Sequence, residues 1–129
     1  MTLDVMIVED EMVVAEDLKR SLQQLGYQVS WLARSGREAI EQFKTKRPDL
    51  IFMDVKIQGD LNGIETALVL HGSFPDPVPI IFLSAYRSED FPYLKAVNSY
   101  FYLHKPYTEE QLQDSIGKAI AKLRSRGEN

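Results

Sequence analysis

Cysteine is absent from this chain of 129 residues, which excludes disulfides, thiolate catalysis and thiolate zinc sites. Histidine is nearly absent as well. His71 and His104 stand apart with no second ligand at metal spacing, and both are expected at the surface or its boundary. No apolar run reaches the length needed to span a bilayer. The earliest run, Val5, Met6, Ile7 and Val8, follows Asp4 at once and is too short for the core of a secretory signal. Positive charge is in deficit, with 15 Lys and Arg against 19 Asp and Glu and a net charge of −4. That balance argues against nucleic acid or an anionic membrane as the primary partner. A cytoplasmic protein is expected, and no repeat, linker or low-complexity segment interrupts the chain.

What is present is ordinary globular composition, 44% hydrophobic and 26% charged, at a length that suits one domain. That domain is expected over 1–129, with its core at about 3–124 and a frayed tail at 125–129. Apolar runs and helical periodicities alternate along it. Residues 3–8 read as a strand, followed by a helix marked by Ala15, Leu18, Leu22 and Leu25 and closed by Gly26. Residues 28–33 alternate through Val29, Trp31 and Ala33, as in an edge or half-buried strand. Ala39, Ile40 and Phe43 mark a second helix that stops before Pro48, and 50–53 is a continuous apolar strand.

A loop containing Gly59 and Gly63 leads to a third helix carrying Ile64, Ala67 and Leu68. Three prolines within 73–79 exclude a helix interior there. A fourth strand at 80–83 and a weaker helix at 88–97 follow, the latter tolerating Pro92 in its first turn. A fifth strand at 100–103 precedes a helix striped by Leu112, Ile116, Ala119, Ile120 and Leu123. Such strands, separated by helices, imply an α/β fold: a doubly wound, five-stranded parallel sheet covered on both faces, in three layers.

In such sheets ligands bind beyond the carboxyl ends of the strands. Glu9, Asp10 and Glu11 follow the first strand, Asp54 the third, Ser84 the fourth, and Lys105 with Pro106 the fifth. Crowded carboxylates repel, and burial penalises each unless a cation or a lysine lies near. Each residue type has a task in phosphoryl transfer, where positioning and charge stabilisation dominate. Asp54 can attack phosphorus, and Asp10 with Glu9 can hold Mg²⁺, which prefers oxygen ligands. Ser84 can donate to a phosphoryl oxygen, and Lys105 can neutralise another. Glu11 is read as an acid at a helix N-terminus and not as a ligand.

The strings Val8-Glu9-Asp10-Glu11, Met53-Asp54, Leu83-Ser84-Ala85 and Tyr102-Leu103-His104-Lys105-Pro106 resemble the motif set of response-regulator receiver domains over the whole chain. The resemblance implies a flavodoxin-like fold with strand order 2-1-3-4-5. It implies transfer of a phosphoryl group to Asp54 from the phosphohistidine of a sensor kinase or phosphotransfer domain. Mg²⁺ is expected on Asp10, Asp54 and the backbone carbonyl of Lys56, with Glu9 reaching it through water. Ser84 and Tyr102 are expected to act as the switch, changing the surface formed by the fourth helix, fifth strand and fifth helix, which could also support a dimer. By the same resemblance Lys56 and Tyr86 are expected to flank the approach of a hydrolysing water, and the Lys105–Pro106 bond is expected to be cis. Output is expected through a partner or an attached domain.

Gln58 and Gly59 stand where most family members have a proline, and the loop to Gly63 is one residue longer than usual. Both features resemble receivers that work beside multi-domain sensor kinases. Lys118, Lys122 and Arg126 share a helical face, read as cations near a helix C-terminus. A flavin-binding carrier would share the architecture but needs a neutral phosphate-cradling loop where Glu9, Asp10 and Glu11 stand. A phosphatase with an aspartate nucleophile after its first strand would carry a second aspartate where Met12 lies. A degenerate receiver that only binds proteins would have lost an acid, the hydroxyl or the lysine.

Overall fold

The computed structural model describes residues 2–74, 78–97 and 100–127. Strands β1 (Asp4–Val8), β2 (Gln28–Ala33), β3 (Leu50–Asp54), β4 (Ile80–Ser84) and β5 (Tyr100–His104) form one parallel sheet in the order β2-β1-β3-β4-β5. Between and after them lie helices α1 (Met12–Gln24), α2 (Gly36–Thr45), α3 (Gly63–Ser73) and α4 (Glu109–Gly127). The fold is the expected flavodoxin-like one.

The strand sequences are apolar throughout because both sheet faces are covered. Met6, Val8, Ile51, Met53, Ile80 and Phe82 point to one face, beneath Ala39, Phe43, Ile64 and Leu70 of α2 and α3. Val5, Ile7, Leu50, Phe52, Ile81 and Leu83 point to the other, against Leu18 and Leu22 of α1 and Leu112 and Ile116 of α4. Helix ends follow the local chemistry. Gly26, at φ +94°, closes α1, with the Tyr27 N–H donating to the Leu22 carbonyl and the Gly26 N–H to that of Gln23. At α3 the Asn62 side chain accepts the Glu65 N–H at 2.8 Å while Glu65 accepts the Asn62 N–H at 2.9 Å.

Four local expectations are corrected. The alternation through Val29, Trp31 and Ala33 is broken by a register shift opposite Val5 and Met6, which leaves Ser30 unmatched. Such a bulge reverses the facing of the residues after it, so Val29 packs with α1 and Trp31 with α2. The helix expected over 88–97 is instead two 3₁₀ turns, Ser88–Asp90 and Pro92–Ala96, because Pro92 falls in mid-segment and removes a donor. There are therefore four α-helices among the described residues, not five. Leu68, assigned to the apolar face of α3, is 37% exposed, while Leu70 is buried. The last helix runs to Gly127, past the expected start of the tail, since nothing after Leu123 breaks it. Of the proline-rich stretch, Pro75, Asp76 and Pro77 lie outside the described residues.

Candidate functional site

Parallel strands bring their carboxyl ends to one edge, and the polar residues that follow each apolar run meet there. One carboxylate oxygen each from Glu9, Asp10 and Asp54 lies within 4.8 Å of the other two. Asp54 is the last residue of β3 and Ser84 the last of β4. Lys105 follows β5, its N–H donating to the Ser84 carbonyl at 2.7 Å, and the Lys105–Pro106 peptide bond is cis. The Lys105 ammonium reaches both Glu9 Oε1, at 3.5 Å, and Asp54 Oδ2, at 3.6 Å.

Each carboxylate is also held by backbone. The Lys56 N–H donates to Asp54 Oδ1 at 3.1 Å, Gln58 N–H to Asp10 Oδ2 at 3.3 Å, and Glu11 N–H to Glu9 Oε2 at 3.2 Å. Glu11 itself is the exposed N-cap of α1. Glu9 is only 3% exposed. Burial pushes its carboxyl up to about 7, opposed by the Glu11 N–H and reinforced by Asp54 and Asp10. One ammonium therefore leaves the cluster short of positive charge, and an all-carboxylate oxygen set of this spacing suits a hard divalent cation.

At the mouth, Ser84 Oγ accepts the Tyr86 N–H at 3.0 Å, and the Tyr102 hydroxyl donates to the Tyr86 carbonyl at 2.5 Å. Burial raises the Tyr102 hydroxyl above its usual range, with the Ser84 contact opposing. Tyr86 is half exposed, stands edge-on to Phe91 at 6.1 Å, and carries the Lys56 ammonium over its ring. His71 contacts the Val78 carbonyl, and His104, the register partner of Ser84 on β5, is exposed. Lys118 pairs with Asp114 at 3.1 Å, a surface i,i+4 contact.

Two contacts escape a reading of motifs. Gly63 donates to the Val55 carbonyl at 2.8 Å, and a Cβ there would lie 2.2 Å from the Asp54 carbonyl oxygen. A glycine directly after the cap residue Asn62 was the available signal. The loop between β3 and α3, turned by Gly59 at φ +116°, is tied to α2 by Arg37 and Asp60 at 2.9 Å.

Residues 5–117 match the family model described as the response regulator receiver domain. The chain belongs to that family. The receiver is 31% identical over 121 residues to transcriptional regulatory protein PdtaR of Mycobacterium tuberculosis, a match covering 93% of this chain and 58% of the relative. It is equally 31% identical to phyllosphere-induced regulator PhyR of Methylorubrum extorquens, covering 93% of this chain and 44% of that protein. The chain thus spans about half the length of these curated relatives.

Among solved structures, the signal receiver domain of a modulated diguanylate cyclase from Desulfovibrio desulfuricans superposes on this receiver with a TM-score of 0.86 at 36% identity, covering 98% of this chain and 99% of that one. Chemotaxis protein CheY4 of Vibrio cholerae gives 0.80 at 29% identity, covering 92% and 99%. No helix of the receiver, among the described residues, is long and apolar enough to cross a membrane.

Proposed function

We propose that this receiver accepts a phosphoryl group on Asp54 from the phosphohistidine of a sensor kinase or phosphotransfer domain. The observation that carries the reading is the placement of the Lys105 ammonium 3.6 Å from Asp54 and 3.5 Å from Glu9, at the edge where Ser84 also ends its strand. An Asp54 oxygen forms the new bond to phosphorus as the donor's phosphorus–nitrogen bond breaks; the electron pair returns to the imidazole, which takes up a proton. Lys105 offsets charge on the phosphoryl oxygens. The Ser84 hydroxyl, whose oxygen accepts from Tyr86 in this structure, would turn to donate to one of them.

Glu9, Asp10, Asp54 and the Lys56 carbonyl would hold Mg²⁺. When bound, it supplies neutralisation of the charge gathered on the acids and the transferred group. The Lys56 N–H keeps one Asp54 oxygen occupied, which leaves the other to react. Tyr102 and Ser84 both hold the Tyr86 backbone, so a turn of Ser84 toward a phosphoryl group frees the Tyr86 N–H and links the site to the surface around the 3₁₀ segment, β5 and α4.

Mass spectrometry after incubation with acetyl phosphate and Mg²⁺ tests this. One phosphoryl group should be added, and Asp54→Asn should lose it. An intact chain without adduct would make it a protein-binding module instead. The Mg²⁺ ligands are tested by titration watched through Trp31 fluorescence, where Asp10→Ala combined with Asp54→Ala should abolish binding.

A further inference from the structure

A groove of about 610 Å³ lies between the first turns of α3 and the 3₁₀ segment. Ile64, Leu68, Phe91 and Tyr93 give it an apolar lining, and Glu65 and Asp90 stand on it from opposite sides. Leu68 is 37% exposed and Tyr93 78%, so large apolar surface is open here beside acids. Each acid gives one oxygen to a helix-capping N–H: Glu65 accepts from Asn62 and Asp90 from Arg87. Among the described residues, neither has a salt-bridge partner. Of the cations at this segment, Arg87 is turned to Glu89 at 3.8 Å, and Lys95, in the second turn, is not part of the groove lining.

We propose that this groove docks a basic amphipathic helix of a partner protein. The charge of the occupant is set by the two acids, which would meet lysine or arginine on either side of an apolar stripe. Its conformation is set by the walls. Neither wall is a free sheet edge, so an extended segment would find no strand to pair with and its backbone groups would go unsatisfied. A helix satisfies its own backbone and presents anchors at i, i+3 or i+4, and i+7 to such a cleft.

The groove is also wired to the candidate site, a link that rests on the function proposed above. Phe91 lines it and stands edge-on to Tyr86, whose N–H is held by Ser84 Oγ. When Ser84 turns to a phosphoryl group, the Tyr86 and Phe91 rings lose that anchor and the groove changes shape.

Selection of phage-displayed random 16-residue peptides against the intact chain tests the proposal. Enriched peptides should be cationic with helical apolar spacing. As synthetic peptides they should shift the amide signals of Leu68 and Tyr93, and bind at least ten-fold more weakly to Leu68→Glu and to the double variant Glu65→Gln, Asp90→Asn. Circular dichroism checks the fold of each variant. No enrichment, acidic or neutral winners, or shifts confined to α4 would overturn it. So would self-association of the chain that Leu68→Glu abolishes, since the occupant would then be a second copy. Measuring one winning peptide with and without acetyl phosphate separates the two proposals. An affinity changed five-fold or more in wild type but not in Asp54→Asn supports the link, and equal affinity on confirmed phosphoprotein removes it. Failure to phosphorylate at all removes the function proposed above while leaving the groove's peptide data standing.

Discussion

The Lys56 ammonium sits 3.8 Å from the centre of the Tyr86 ring, so the two side chains that flank the mouth of the acidic cluster are joined across it. The ring also stands edge-on to Phe91 at 6.1 Å. An exposed cation–π pair of this kind contributes about 0.5–1 kcal/mol, which is about 2–5-fold in a rate. On the function proposed above, a water attacking Asp54-phosphate in line is expected to pass this pair, and loss of near-attack geometry slows hydrolysis. Tyr86→Ala should therefore lose its phosphoryl group several-fold faster than wild type, and Lys56→Met faster by a smaller factor. Decay of the phosphoprotein in Mg²⁺ measures both; equal or slower loss in Tyr86→Ala would end the idea.

A second prediction concerns pH. The folded-state pKa of Glu9 is raised from 4.5 to about 7 by burial first of all. Between those values the folded protein binds more protons than the unfolded one, so stability falls as pH rises. The contribution is complete below the unfolded value and lost as pH passes through the folded one, and at about 1.4 kcal/mol per unit it amounts to a few kcal/mol at most. In EDTA, Tm should drop between pH 5.5 and 8, and Mg²⁺ should restore it at pH 8. Glu9→Gln should lose the pH-dependent drop, while Mg²⁺ bound through Asp10 and Asp54 still raises its Tm. A wild-type profile matching that of the variant would count against it.

Lys105 should matter most where metal is absent. It is the cation within 4 Å of both Glu9 and Asp54. Lys105→Met leaves their charge uncompensated, and with Lys105 28% exposed the loss is scaled down by solvent to about 1–2 kcal/mol. Chemical denaturation at pH 8 should show that loss in EDTA and a smaller one in saturating Mg²⁺. The same loss under both conditions would mean that the lysine acts through packing and not charge.

Gly63→Ala tests how closely the scaffold grips the phosphoacceptor strand. The added Cβ meets the Asp54 carbonyl oxygen at 2.2 Å and Met53 Cγ at 3.0 Å, so β3 or α3 must shift. Overpacking of this kind costs about 1–3 kcal/mol. Urea unfolding should show that loss together with weaker Mg²⁺ binding, whereas Gly72→Ala, which meets nothing within 4 Å, should show neither. Unchanged stability of Gly63→Ala would refute the close approach.

The sheet and the residues at its edge were legible because one rule connects them. A strand buried on both faces must be apolar along its length, so the polar residues that directly follow each run mark its carboxyl end. Asp10, Asp54, Ser84 and Lys105 could be placed that way, and the structure gathers them at one edge. Helix stripes were equally readable where burial is one-sided, as with Leu112, Ile116 and Ala119 of α4.

Local sequence was enough to set the alternation of elements, the covering of both faces and the polar residues at the strand ends. These depend on periodicities of two and 3.6 and on local turn chemistry. Packing in three dimensions was needed to settle how Lys56 meets Tyr86, how near Gly63 comes to Asp54, where the bulge at Ser30 reverses β2, and that Leu68 stays exposed beside Tyr93. Those outcomes are set by side chains that touch across elements distant in the chain, and such contacts leave no local periodic trace. The two 3₁₀ turns lie between the cases: Pro92 announced a break, but packing of Leu94 and Val97 into the core decided what replaced the helix.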